Sequence, residues 1–226
     1  MGKILRVVCI SDTHMAEPEL PQGDILIHSG DALLSGTTAE WSKFVMWLAR
    51  VRKQFKHVFY VPGNHDAYVQ QCPEICRGDL SFHGIRLLID QSIEFAEFSI
   101  YGSPWVGHIN GSWAFEAPKG GSEDFLSRHF SGIRFAKTVK TKILVTHSPC
   151  HQILDNESRH FGSSVLLTRV LELKPDLHVF GHVHESYGTK VFQGVQFVNA
   201  SIMSRDYKPL NAPIIVDMAG AEPDGA

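Results

Sequence analysis

The strongest constraint on the fold is a repeated unit, a short apolar, β-branched run that stops abruptly in polar residues. It occurs at ILRVVCI (4–10), DILIHS (24–29), HVFYV (57–61), ILVT (143–146) and LHVF (177–180). Runs of this length and composition read as buried strands. Between the second and third lies TTAEWSKFVMWLARVRKQF (37–55), in which Trp41, Phe44, Val45, Leu48 and Val51 recur at steps of three and four. That spacing predicts a helix, with Thr37 or Thr38 able to cap its start. A second helix is expected within 162–173, around SSVLLTRVLEL, stopped by Pro175. Strand, helix, strand in this order predicts parallel pairing with right-handed crossovers, and so an α/β fold. After residue 186 the pattern turns to YGTKVF, VQFVNAS and PIIVDM, short strands separated by glycine and asparagine turns. These predict an antiparallel or mixed second sheet. The simplest assembly is a single domain over 1–219 with two β-layers and flanking helices, the last residues, 220–226, reading as a frayed tail.

Bulk properties narrow the function. The formal net charge of the 226 residues is −3. The densest positive stretch, Arg50 to Lys56, falls at the end of the expected helix, where cations also suit the helix dipole. Nucleic acid is therefore a poor expectation as partner. No apolar stretch reaches the length of a membrane span, and Met1 leads through Lys3 straight into the first strand without a small-residue cleavage site. The expected compartment is the cytoplasm. The four cysteines, Cys9, Cys72, Cys76 and Cys150, are too few and too irregular for a disulfide framework and read as reduced thiols. Histidine is the unusual component of the composition, with 13 copies.

Each apolar run is followed by a polar signature of one character. After the first comes SDTH, with Asp12 and His14; after the second SGD, ending in Asp31; after the third PGNHD, with Asn64, His65 and Asp66. The fourth is followed by THSP, with His147, and the fifth by GHVH, with His182 and His184. Side chains two apart on an extended chain lean to the same side, so the last pair converges on one point. Taken singly, Asp12, Asp31 and Asn64 also fit helix caps or turns, Pro62-Gly63 has the sequence of a type II turn, and His147 fits a core histidine. Loops at the carboxyl ends of strands meet where α/β sheets bind ligands. Two aspartates, an asparagine and four histidines arriving there together exceed the needs of one ion and suit two ions sharing a carboxylate.

The ordered set Asp12-Thr13-His14, Gly30-Asp31, Gly63-Asn64-His65-Asp66, His147 and Gly181-His182-Val183-His184 resembles the calcineurin-like metallophosphoesterase superfamily. ISDTH, GDILIHSGD, GSPW, GHVH followed by ESYG, and NAS further resemble its MPPED-related branch of small metallophosphoesterase domain-containing proteins. The resemblance implies a four-layer sandwich of two mixed β-sheets flanked by helices. It also implies a two-metal centre, with Asp12, His14 and His184 on one ion, Asn64, His147 and His182 on the other, and Asp31 bridging. Some members of the branch have glycine at the first histidine of GHxH, whereas this chain keeps His182, so both sites are expected to fill. His65 is not a ligand in the family pattern and faces the substrate, while the role of Asp66 is left open.

The implied activity is hydrolysis of small phosphodiesters, cyclic nucleotides first among them, by attack of a metal-bridging hydroxide, with His65 as general acid and Asn64 supporting the phosphoryl oxygens. Carboxylate, amide and imidazole donors suit Mn²⁺, Fe²⁺, Co²⁺ or Zn²⁺, and manganese is the expected activator. The second block reads GDALLSG, not the GDxVDRG of the superfamily's protein phosphatases, which argues against a phosphoprotein substrate. A phosphomonoesterase or nuclease of the same superfamily, or a non-catalytic scaffold on the same fold, are the alternatives; a scaffold has no physical need of seven ligands and an acid. The loops Gly102 to Gly121 and Ser148 to Gly162 are expected to shape the pocket, with His108, Asn110, His151 and His160 as candidate contacts. Neither natural substrate nor oligomeric state is legible.

Overall fold

The computed structural model describes residues 4–95, 98–136 and 139–219; the tail expected over 220–226 lies outside the described residues. In chain order the first half comprises strands β1 (Ile4–Ile10) and β2 (Ile25–His28), helix α1 (Thr38–Val51), strand β3 (His57–Tyr60), helices α2 (Ala67–Gln71) and α3 (Pro73–Phe82), and strand β4 (Arg86–Leu87). The remainder is β5 (Gln91–Glu94), β6 (Phe98–Ser103), α4 (Ser122–Ser131), β7 (Thr141–Thr146), α5 (Ser164–Leu173), β8 (Leu177–Phe180), β9 (Gly188–Phe192), β10 (Val195–Asn199) and β11 (Ile214–Ala219). The five expected strands are all present. α1 ends at Val51 and tightens into a 3-10 turn over Arg52–Gln54, short of the expected residue 55.

The strands form two mixed sheets, in the orders β11-β1-β2-β3-β4 and β5-β6-β7-β8-β10-β9. β1 to β4 are parallel, as the strand–helix–strand order predicts. The expected division of the chain needs correcting in two respects. The fourth and fifth apolar runs, β7 and β8, lie in the second sheet, which starts as early as β5. Of the three late strands, β9 and β10 join that sheet, but β11 returns to the first and pairs antiparallel with β1, Ile4 opposite Ala219. The loops that carry the polar signatures therefore come from two sheets.

Alternation along β1 explains the layers. Val7 and Cys9 point between the sheets, into a core shared with Ile25, Ile27, Phe59, Ile100, Ile143, Val145 and Val179. Val8 and Ile10 point the other way, onto Trp41, Phe44 and Leu48 of α1 and Leu80 of α3. The outer face of the second sheet packs Leu144, Phe180 and Phe197 against Leu126 and Phe130 of α4 and Leu166 and Val170 of α5. A strand buried on both faces has no polar alternation, which is why these runs are continuously apolar. The order is helix, sheet, sheet, helix. Local capping agrees: Thr37 and Glu40 form a capping box at α1, and Ser163 accepts the Leu166 N–H at α5. The four cysteines are free thiols.

Candidate metal centre

Asp12 and His14 follow β1, Asp31 follows β2, and Asn64 and His65 follow β3; His147 follows β7, and His182 and His184 follow β8. The turns bring these side chains together from both sheets. His184 Nε2 lies 3.3 Å from Asp12 Oδ1 and 3.4 Å from His14 Nε2. His147 Nε2 lies 3.2 Å from Asp31 Oδ2 and 3.1 Å from Asn64 Oδ1. Three overlapping groups each keep one donor atom per residue within 4.8 Å: Asp12/His14/His184, His14/Asp31/His65 and Asp31/His147/His182. Asp31 stands in two of them. Asp12, His14, Asp31, Asn64, His147 and His184 are buried, and His182 is half-buried.

Backbone carbonyls set the histidine tautomers. The Nδ1 of His14 meets Leu33 O at 3.1 Å, that of His147 meets Ser29 O at 2.9 Å, and that of His184 meets Ser204 O at 3.2 Å. A carbonyl only accepts, so each Nδ1 carries a hydrogen and Nε2 is the ring atom that faces the cluster, free to bind a cation once it carries no proton. This is the arrangement that orients metal-binding imidazoles. His65 is fixed in the same way, its Nδ1 2.6 Å from Leu34 O. Asp31 is held by its other oxygen, which accepts the His65 backbone N–H at 2.8 Å.

The loops adopt costly conformations to achieve this. Asp12, His14, Asp31 and His182 all have positive φ, at 50°, 39°, 53° and 69°. Such backbone at non-glycine residues persists only where the surroundings enforce it, and it gathers at functional sites. Gly63 is not in the left-handed region, so the type II turn expected at Pro62-Gly63 is not formed. Glycine stands there for space: a Cβ would strike Asp31 Oδ1 and lie 2.7 Å from His147 Cε1. At Gly181 it would strike Asp12 Oδ2 and Ser11 Oγ.

Asp66 now has a definite place. Its carboxylate accepts the backbone N–H groups of Gly63 at 2.7 Å, Asp31 at 2.9 Å, Ala32 at 3.4 Å and Leu33 at 2.9 Å, clamping the second and third loops together. Burial and the neighbouring Asp31 push its carboxyl up to about 6 against the pull of those donors. Within the cluster, burial opposes ionisation of Asp31, but His147 and His14 outweigh it and hold the carboxyl well below the usual range. Asp12 behaves alike, lowered to about 2 because His184 and His147 overcome burial. Burial lowers His147, yet Asp31 prevails and raises it to about 9, while burial and His147 press His182 down to about 4. The charges are strongly interdependent, as expected of donors assembled for a shared cation.

Two further histidines, to which the sequence assigned no role, sit beneath these loops. His28 of β2 bridges to Thr13, Nε2 to Oγ1 at 2.9 Å, and His178 of β8 bridges to Thr146 at 2.8 Å. Each threonine is the chain neighbour of a cluster residue. The pocket expectations fare differently. His108 is held by Glu116 at 2.9 Å, Asn110 caps Ser112 at 3.0 Å, His160 meets Asp155 at 3.2 Å and the His151 ring packs on His160. These engagements lie within their own loops. From the first loop it is Trp113 that reaches the centre, with its ring 4.4 Å from that of His65.

A sandwich of two mixed sheets between helices, with carboxylate, amide and imidazole donors gathered where the strands end, is the architecture of a metallophosphoesterase. The chain belongs to the calcineurin-like phosphoesterase family, whose model matches residues 5–186. It is 32% identical over 240 residues to metallophosphoesterase domain-containing protein 1 of Homo sapiens, covering 94% of this chain and 71% of that protein. A UPF0046 protein of Caenorhabditis elegans is 30% identical over 238 residues, covering 95% and 81%. Among solved structures, TT1561 of Thermus thermophilus superimposes with a TM-score of 0.60 at 12% identity, covering 87% of this chain and 89% of that one. The anchor GAP50 in the inner membrane complex of Plasmodium gives 0.57 at 12% identity, covering 89% and 73%. At these identities the likeness is one of fold. No helix among the described residues is long and apolar enough to cross a membrane.

Proposed function

We propose that the protein is a metal-dependent phosphodiesterase acting on small phosphodiesters, cyclic nucleotides foremost. Asp12, His14 and His184 would hold one cation, Asn64, His147 and His182 a second, and Asp31 both. The observation that carries this reading is the shared orientation of His14, His147 and His184, whose Nδ1–H groups are committed to backbone carbonyls so that three Nε2 atoms converge on two buried carboxylates. The donor chemistry fits divalent cations such as Mn²⁺, Fe²⁺, Co²⁺ or Zn²⁺, with manganese the expected activator in vitro. When bound, a pair of divalent cations supplies positive charge to phosphoryl oxygens and acidifies water towards neutrality.

The chain's own groups do the rest. With Nδ1–H held by Leu34 O, His65 can carry a second proton only on Nε2. That proton passes to the departing alkoxide oxygen, a general-acid contribution of typically about 10²–10⁴-fold. The Asn64 amide has its Oδ1 turned to His147, which leaves its N–H₂ to steady a phosphoryl oxygen. The backbone N–H of His65 fixes Asp31, coupling the acid's position to that of the shared carboxylate.

The deciding experiment is hydrolysis of bis-p-nitrophenyl phosphate against p-nitrophenyl phosphate by one metal-stripped preparation, with and without Mn²⁺. Manganese-dependent turnover favouring the diester supports the proposal. Preference for the monoester moves the assignment to a phosphomonoesterase, and absence of turnover with every divalent metal makes a scaffold of this fold the reading to pursue.

A further inference from the structure

Two exposed aromatic rings border the His65 imidazole. Trp113 is 37% exposed with its ring centroid 4.4 Å from that of His65. Tyr207 is 50% exposed and lies 4.9 Å from His14, 4.9 Å from His184 and 6.4 Å from His65. Neither is a metal donor in the proposed centre, and neither belongs to the core.

Both rings are held in place rather than left to sample solvent. The Trp113 turn wraps the Glu116 carboxylate, which accepts backbone N–H groups from Asn110 at 2.6 Å, Gly111 at 2.8 Å and Trp113 at 3.1 Å. The turn is then fastened to the centre, because Ala114 N–H donates to Asn64 O at 3.1 Å. Tyr207 has φ of 56°, a conformation unfavourable for a bulky residue. Its N–H donates at 2.9 Å to Ser204 O, the carbonyl that also orients His184. Each aromatic ring is therefore one backbone link away from a residue of the cluster. Strain and a dedicated carboxylate are spent on presenting apolar, planar faces to solvent beside the proposed acid.

We propose that Trp113 and Tyr207 form a stacking subsite for a planar aromatic ring, a nucleobase or an aryl group, carried by the ester at the metal centre; the inference rests on the phosphodiesterase reading of that centre. A ring seated there lies against His65, on the side from which the leaving oxygen is protonated. Selection is by shape and π-face, so purines and pyrimidines are both accepted, whereas an alkyl diester of the glycerol type finds no partner.

Binding tests this separately from turnover. The manganese-loaded full chain is titrated with adenosine 5′-monophosphate and with ribose 5-phosphate, following tryptophan fluorescence and calorimetric heat, with phosphate release monitored in the same samples. The nucleotide is expected to bind about fivefold to a hundredfold more tightly, the range that one stacked base contributes. It should also quench emission that Trp113→Leu lacks. Trp113→Leu abolishes the preference and Tyr207→Leu narrows it, with circular dichroism showing the fold retained. Equal affinity for the two ligands, binding of neither, or a preference that survives both substitutions overturns the subsite. Diester turnover without base preference removes the subsite alone; base preference in a protein that hydrolyses no ester keeps the subsite and removes the reaction.

Discussion

Gly63 shows how little room the centre leaves around a single residue. Gly63→Ala should keep the fold, because φ there is ordinary, yet lower metal affinity at least about tenfold, since the methyl group collides with Asp31 and His147. Metal analysis after dialysis, alongside circular dichroism, reads both outcomes. His65→Asn probes the opposite property: metal content should survive, while turnover of substrates with poor leaving groups falls about 10²–10⁴-fold. Loss of the metals with that change sinks the assignment of His65 as acid. The cluster residues were legible in the sequence because each closes an apolar run with a motif of fixed spacing. Asp66 was visible in GNHD but its role was not, since four backbone N–H groups from two loops have no sequence signature. Tyr207 was invisible, as nothing in SRDYK marks a ring folded back over His14 and His184.

Among elements, strands proved easier to read than helices. β1, β2, β3, β7 and β8 are buried on both faces and announce themselves as unbroken apolar runs, whereas α3 and α4 bury only Cys76 and Leu80, and Leu126 and Phe130. α5 also buries only Leu166 and Val170, but its run SVLLTRVLEL is apolar enough to be read, whereas PEICRGDLSF and SEDFLSRHFS set their buried pairs among polar residues. The strands also hide titratable groups. In β8, burial pushes His178 down to about 3, and His28 of β2 is lowered to about 3 as well, chiefly by burial. Both are neutral in the folded chain and take up protons once unfolded, so they do not affect stability above the ordinary imidazole range. Below about pH 6.5 the unfolded state gains protons that the folded state refuses until about pH 3, and stability falls through that window. For His178 the loss at pH 5 relative to pH 7 is about 2 kcal/mol, an order-of-magnitude value. Denaturant midpoints at the two pH values measure it, and His178→Gln should shrink the difference.

At the scale of the molecule, the proposed centre draws Asp12, His14, Asp31 and Asn64 from one sheet and His147, His182 and His184 from the other. Cations held there would tie the sheets together, so chelation should lower the thermal midpoint. Metal at 100 times its dissociation constant contributes about 2.7 kcal/mol to stability; an unchanged midpoint in EDTA counts against occupancy. Loading should also release protons, because His147, raised to about 9 by Asp31 against burial, carries one at pH 7 that a cation must displace. Affinity therefore climbs with pH up to about 9, and calorimetry in buffers of differing ionisation enthalpy counts the protons. The partition of strands between sheets was not legible, since nothing within VQFVN or IIVDMA names the strand, distant in sequence, that each will pair with.

The pairing of β1 with β11 has a consequence in time. As the chain emerges from the ribosome, the strand that introduces Asp12 and His14 is made some two hundred residues before the neighbour covering its outer edge. Until Ile214–Ala219 arrives, β1 offers its unpaired backbone to any passing strand, a known route to misassembly. Nascent chains stalled before that segment should depend on chaperones in a way that chains stalled after it do not.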